Sequence, residues 1–223
     1  LPNSVNLSKY KPTESMDQKK ELRLKLFPKM PDTACLFIYV GRIIGWHKRV
    51  DFLLEAWQKS HLSSEGHRLL LVGSPKSDFF IKDGFKIWKN SGPQNGASGE
   101  GKVPGTFWTG FVSMEDLPSY LWMSDVFVLP SDFEGMSNAA IEALAAGLPI
   151  VGRRGVSGNE ELIDPKRTGL LFENQKELIE QLIWMAKSEN RKGMEEAALQ
   201  KVQNFSVEAM CDRYIQLFQR MHI

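Results

Sequence analysis

Short apolar runs alternate with longer stretches in which apolar residues recur every three or four positions, and the alternation continues along most of the chain. The runs Cys35 to Val40, Leu69 to Val72, Thr106 to Thr109, Val126 to Leu129, Pro149 to Gly152 and Gly169 to Phe172 are short and rich in aliphatic and β-branched residues, which predicts buried parallel strands. Val50, Leu53, Leu54 and Trp57 share one face of a helix predicted over Arg49 to Lys59. Further helices are predicted over Glu115 to Met123 and Ser137 to Ala146. Three more follow the last strand, over Gln175 to Lys187, Arg191 to Lys201 and Val207 to Met221, the last with Ser206 as its N-cap. Strands alternating with helices define an α/β chain, a Rossmann-like doubly wound six-stranded parallel sheet with extra C-terminal helices. Residues 1–12 lack a strand pattern and read as an interdomain linker, so the main domain is expected over 13–205 and a closing helix over 206–223. The stretch Ser91 to Gly105, with five glycines and two prolines, reads as a mobile connector.

Composition narrows the picture. A chain of 223 residues, 42% of them apolar, can fill a sizeable core. With 28 basic against 27 acidic residues, no global charge favours nucleic acid or an anionic membrane, so any phosphate site must be local. Cys35 and Cys211 lie far apart without metal-ligand spacing and read as buried free thiols, which suits a reducing compartment. No apolar run approaches the ~20 residues needed to span a bilayer, and no basic-then-apolar leader opens the chain, so a soluble, cytoplasmic domain is expected. His61, His67 and His222 read as surface residues.

In a doubly wound sheet, ligands sit at the carboxyl ends of the strands. After the first strand comes Gly41-Arg42-Ile43-Ile44-Gly45-Trp46-His47-Lys48, two glycines with cations at both ends. The fork of Arg42 and the point charge of Lys48 suit a pyrophosphate, though cations also flank many strands simply as solvated side chains. His47 beside them reads as a solvated imidazole.

The segment from Leu129 to Pro149 says more: a strand end, an acidic loop, a nearly apolar helix, a glycine stop and the next strand. Glu142 is that helix's only carboxylate, and a buried charge requires a partner, a hydrogen bond or a ligand cavity. The first helical turn, near Met136 and Ser137, presents free amides that favour an anion, and Gly135 permits close approach. Glu134 suits two roles, acceptor for sugar hydroxyls or favourable charge at the helix start.

These residues resemble the acidic signature of the large retaining glycosyltransferase family four, in which two glutamates are separated by seven residues, here Glu134 and Glu142. The resemblance extends to Val40-Gly41-Arg42 with Lys48, to Trp108-Thr109-Gly110-Phe111-Val112, to Asp125 through Pro130, to the opening Pro2 to Asn6 and to the helix after Phe205. It implies one half of a GT-B architecture, in which two Rossmann-like domains face a cleft and the C-terminal one holds the sugar donor. This chain corresponds to that domain, and the family's N-terminal acceptor domain is absent from it. Glu142 then holds the ribose, Arg42 and Lys48 with the Gly41 turn grip the diphosphate, Glu134 with Gly135, Met136 and Ser137 contacts the transferred sugar, and Phe111 and Val112 line the base pocket. Departures are Ser137 and Asn138, where the family often carries glycine and leucine, the longer loop through Trp46 and His47, and the turn at Gly73 to Lys76.

The implied reaction transfers a hexosyl-type sugar from a nucleoside-diphosphate donor to an acceptor hydroxyl with retention. No cofactor is expected, and no metal, because the cations and helix amides already supply positive charge; magnesium held by Asp132 and Glu134 is the alternative. Expected partners are the donor and the acceptor domain, with no nucleic acid, and with membrane association only through the missing half or a lipid-linked acceptor. Polysaccharide biosynthesis is the process the resemblance suggests. The rivals are an epimerase of the same fold and a non-catalytic nucleotide-sugar-binding module. A dehydrogenase is disfavoured, since no Gly-x-Gly-x-x-Gly joins a strand to a helix. Binding without turnover is the expectation for this chain by itself.

Overall fold

The computed structural model describes residues 3–12, 15–43, 47–74, 99–101 and 103–221. Trp46, His222, the proline and lysine of the 73–76 turn, and most of the glycine-rich connector expected from Ser91 onward lie outside these residues.

Six parallel strands form where short apolar runs predict them: β1 (Leu36–Val40), β2 (Arg68–Val72), β4 (Thr106–Gly110), β5 (Val126–Leu129), β6 (Ile150–Arg153) and β7 (Gly169–Phe172). Among the described residues a seventh, β3 (Gly99–Glu100), pairs antiparallel with β4 at the sheet edge and corrects the expectation of six. Two residues, one of them glycine, carry no apolar period by which to recognise a strand. The order is β3-β4-β2-β1-β5-β6-β7. From the central strand β1 the chain winds outward through β2 and β4 on one side and through β5, β6 and β7 on the other. The winding reverses between β1 and β5, and in a doubly wound sheet the ligand crevice lies at such a switch point, at the carboxyl ends of the two strands.

Side chains alternate along each strand, so the sheet has two cores. Leu36, Ile38, Phe127 and Leu129 face a layer formed by α5 (Asn138–Ala145), α8 (Met194–Val202), α4 (Leu117–Trp122) and the N-terminal segment. Phe37, Tyr39, Val126 and Val128 face α3 (Val50–Ser60) and α7 (Gln175–Ala186), where Trp57, Leu178 and Leu182 are fully buried. Fully burying such side chains contributes roughly 1.5 to 3 kcal/mol each.

Some elements differ from expectation for identifiable reasons. A helix α2 (Met16–Leu26) has no buried residue; it is capped by Ser15 Oγ, which accepts the Asp17 amide at 3.1 Å, and is docked by its charges. The short helix α6 (Ser157–Leu162) follows β6. Residues read as a linker contribute a one-turn helix α1 (Leu7–Tyr10), capped by Asn6, and bury Val5 and Tyr10 in the first core. Val5 donates to the Phe205 carbonyl at 2.9 Å, which places the start of the chain beside α9 (Val207–Arg220). Two single-residue expectations are corrected. His67 is buried, and its Nδ1 accepts the Cys35 amide at 2.8 Å, so burial, the main influence, pushes its pKa down. Cys211 is exposed on α9, whereas Cys35 is buried, which pushes its thiol pKa up.

Candidate functional site

The crevice between β1 and β5 brings together two loops of opposite charge. The chain leaves β1 at Gly41, whose φ of +152° favours glycine; a Cβ there would stand 2.9 Å from the Tyr39 hydroxyl. That hydroxyl donates to the Arg42 carbonyl at 2.8 Å. Its pKa is raised, first by burial and then by the charge of Glu134 across the crevice, while Arg42 acts in the opposite direction. The Arg42 side chain is exposed and forms no ion pair with the described residues. The chain returns to the crevice at His47 and Lys48, just before α3.

The acidic loop leaves β5 at Leu129. Ser131 is fully buried, and its hydroxyl donates to Glu134 Oε1 at 3.1 Å. The same oxygen receives Lys48 Nζ in a short ion pair, with only 18% and 12% of the two side chains exposed. Lys48 and Glu134, 86 residues apart in the chain, therefore meet across the switch point. The Asp132 amide donates to the His47 carbonyl at 2.9 Å, and the Asp132 carboxylate takes Arg49 Nη1 at 2.7 Å and Arg153 Nη1 at 3.1 Å. Arg49 has a φ of +48°, an uncommon conformation for a residue with a side chain, which costs roughly 1 to 2 kcal/mol.

Beyond Glu134 the loop opens. A Cβ at Gly135 would meet nothing within 4 Å on its outer side, while α6 abuts the other side so closely that a Cβ at Gly158 would lie 2.1 Å from the Gly135 carbonyl. Ser137 caps α5 by accepting the Ala140 amide at 3.3 Å. Met136 and Asn138 are engaged by Asn3, whose amide donates to the Met136 carbonyl at 3.1 Å and to Asn138 Oδ1 at 2.8 Å. Both departures from the family pattern thus have a local use: Ser137 caps its own helix, and Asn138 anchors the opening segment.

Glu142, one turn into α5, is half-buried beside Tyr10 and Lys9 of α1. Burial, the largest influence, raises its pKa; Tyr10 and Lys9 only partly oppose this. The Tyr10 hydroxyl is itself buried and makes no hydrogen bond of ordinary geometry, although the Glu142 carboxylate is its charged neighbour and raises its pKa further. Phe111, at the end of β4, is 81% exposed, and Val112 packs partly against the first core. Of the residues singled out from the sequence, Gly41, Arg42, Lys48, Glu134, Gly135, Met136 and Ser137 line the two loops at the β1/β5 crevice. Glu142 lies on the face of α5 turned toward α1, and Phe111 and Val112 at the end of the separate strand β4. Sequence reasoning missed Arg49, Arg153 and Tyr39. The signal for Arg49 was present in the adjacent cations Lys48 and Arg49, which match two carboxylates spaced two apart at the end of the neighbouring strand.

With this geometry in hand, the comparisons with known proteins are specific. Residues 34–188 match the model of the family described as glycosyl transferases group 1, and the chain belongs to that family. It is 31% identical over 191 residues to TuaC of Bacillus subtilis, a glycosyltransferase assigned to teichuronic acid biosynthesis; the match covers 82% of this chain and 42% of TuaC. The solved C-terminal domain of LpcC, a group 1 family glycosyl transferase from Francisella tularensis, has the same fold: TM-score 0.69 at 18% identity, covering 91% of this chain and 99% of that one. HepE of Anabaena, crystallised in complex with UDP-glucose, gives a TM-score of 0.73 at 18% identity, covering 97% of this chain and 56% of HepE. The chain thus spans about two fifths of TuaC and rather more than half of HepE. Among the described residues no helix is long and apolar enough to cross a membrane.

Proposed function

We propose that the crevice between β1 and β5 binds a nucleoside-diphosphate sugar, and that this chain is the donor-binding half of a retaining, metal-independent glycosyltransferase. The observation that carries the reading is the meeting of Lys48 and Glu134 across the switch point, within the span that matches the family. On this reading Lys48 is the cation for a leaving diphosphate and Glu134 the carboxylate to which sugar hydroxyls donate.

In sugar transfer the bond from the anomeric carbon to the diphosphate lengthens through an oxocarbenium-like state while negative charge grows on the phosphate oxygens. Lys48, held in advance by the acidic loop, and the exposed Arg42 stabilise that charge more than they stabilise the intact donor. When the donor enters, Lys48 exchanges Glu134 for phosphate, and Glu134 becomes an acceptor for the sugar, beside the open side of Gly135. Glu142 is assigned the ribose hydroxyls, and Phe111 with Val112 the base. The main-chain amides around Met136 and Ser137 complete the sugar and phosphate contacts. A magnesium ion shared by Asp132 and Glu134 is disfavoured, because each carboxylate is already held by cations, Asp132 by two guanidinium groups and Glu134 by Lys48. The acceptor hydroxyl and any base that deprotonates it belong to an N-terminal domain across the cleft, and the whole protein works in the cytoplasm in polysaccharide assembly.

Calorimetric titration with UDP, GDP, ADP and their sugar conjugates, with and without magnesium, tests the reading. One nucleotide should bind equally well with and without the metal, and more weakly to Glu142→Ala. Failure of every nucleotide to bind the folded chain would overturn the donor-site assignment, and robust transfer by this chain alone would overturn its description as a half-enzyme.

A further inference from the structure

Residues 47, 48 and 49 each make a contact with the acidic loop. The His47 carbonyl accepts the Asp132 amide at 2.9 Å, Lys48 pairs with Glu134, and Arg49 reaches Asp132 Oδ2 at 2.7 Å. From the end of β6, Arg153 takes the other oxygen of Asp132 at 3.1 Å. Both guanidinium groups lie over the Phe52 ring, at 4.9 and 5.7 Å from its centre, and Phe52 stacks on Phe172 at 6.1 Å. Three strands, β1 through its following turn, β5 and β6, are thereby tied together at their carboxyl ends. Arg49 holds this arrangement in a left-handed backbone conformation, and its side chain gives α3 no cap. An uncommon backbone state persists only where its surroundings over-determine it, and such states cluster at working sites.

We infer that Arg49 is a positioning residue: through Asp132 it fixes the turn that carries Lys48, so that the flexible lysine stem is aimed into the crevice before any diphosphate arrives. The inference rests on the reading of Lys48 as a diphosphate ligand. Lysine is a point charge on four rotatable carbons, and it is useful as a preorganised cation only if its backbone is held. The Arg49 to Asp132 contact supplies the hold one residue away, and the Asp132 amide supplies a second on the other flank of Lys48.

The test reads the affinity of the whole chain for inorganic diphosphate, by calorimetry at low ionic strength, alongside thermal melting. Arg49→Gly removes the clamp but accepts the left-handed backbone without strain. Relief of backbone strain opposes loss of the Asp132 and Asp51 contacts, so its melting temperature should move little while diphosphate binding weakens roughly five- to tenfold. Asp132→Ala separates positioning from simple charge: removing a carboxylate beside an anion site would by itself tighten binding, so the net weakening expected of this variant reports loss of the clamp. In a Lys48→Ala background both effects should shrink to within about twofold. Equal or tighter binding by Asp132→Ala, or an undiminished Arg49→Gly effect without Lys48, overturns the positioning role and leaves the diphosphate site standing. No diphosphate binding by the wild type, or none lost in Lys48→Ala, overturns both.

Discussion

The two ends of strand β5 carry carboxylates held by cations, and the two arrangements differ in what surrounds the pair. At the amino end, Asp125 takes Lys19 at 2.9 Å, Arg23 at 2.5 Å and the Leu36 amide at 2.8 Å. The cations are themselves completed by main chain: Lys19 donates to the Ser124 carbonyl and Arg23 Nε to the Met123 carbonyl. Burial alone would push the Asp125 pKa up; Lys19, Arg23 and Arg191 outweigh it and lower it to about 2. At the carboxyl end, Glu134 holds Lys48 beside a glycine with open space on its outer side. The first arrangement is a cage of two cations around one carboxylate, which docks a charged helix, α2. The second is a single pair beside the open side of Gly135, which we read as one that a ligand separates. Geometry within the pair does not distinguish structure from function; what lies next to it does.

The largest expected effect breaks the cage. Asp125→Ala leaves two part-buried cations and the Leu36 amide without their carboxylate and should cost about 3 kcal/mol of stability, seen as a lower denaturation midpoint in urea. The α2 helix should lose its protection from amide exchange first. Lys48→Ala at the other end of the strand leaves the part-buried Glu134 with the Ser131 hydroxyl as its donor and should cost less, about 1 to 2 kcal/mol. It should nevertheless lose roughly 1.5 to 3 kcal/mol of nucleoside-diphosphate affinity in calorimetry. If instead Lys48→Ala destabilised the chain as much as Asp125→Ala, the distinction between the two ends would fail.

What the sequence revealed follows the same division. The parallel strands and the amphipathic helices were legible because apolar period reports burial directly, as with Val50, Leu53, Leu54 and Trp57 on α3. The two loops that Lys48 and Glu134 join were legible as a candidate site because they follow strands at a switch point and carry a spaced pair of glutamates. The helix α2 was not, since its docking depends on Lys19 and Arg23 finding Asp125 about a hundred residues later, which no local pattern encodes. His67 was misread for a related reason: a polar side chain next to a strand reads as surface until the Cys35 amide that needs it is known. The left-handed backbone of Arg49 had no such signal, because that conformation is expected at glycine.

Acid should separate the two ends as well. Asp125 has a folded pKa lowered to about 2 from an ordinary 3.8, so its contribution to stability is complete above 3.8 and is lost as the pH falls from 3.8 toward 2. Urea midpoints measured between pH 5 and pH 2 should fall, by an amount on the order of 2 kcal/mol from this group. A variant such as Asp125→Asn, already without the charge, should show a flatter profile over that window. A wild-type profile no steeper than the variant's would mean that the cage does not hold its carboxylate ionised.

Glu142 extends the comparison to a third carboxylate, one with neither a cage nor an ion pair at contact distance among the described residues. Burial raises its pKa above the ordinary 4.5, so the folded state favours the neutral acid. The sign is opposite to that of Asp125: the contribution to stability is complete below 4.5 and is lost as the pH rises through the raised folded value. Glu142→Gln, close in shape to the neutral acid, should therefore be slightly more stable than wild type at pH 7, with the gap closing toward pH 4. The same variant should bind nucleoside diphosphates more weakly, because an amide is a poorer acceptor for ribose hydroxyls than a carboxylate. A gain in stability together with a loss of affinity marks a charge kept in a poor place for the sake of a ligand. A loss of both would instead make Glu142 a support for Tyr10 and the opening segment, and the ribose contact would have to be sought elsewhere.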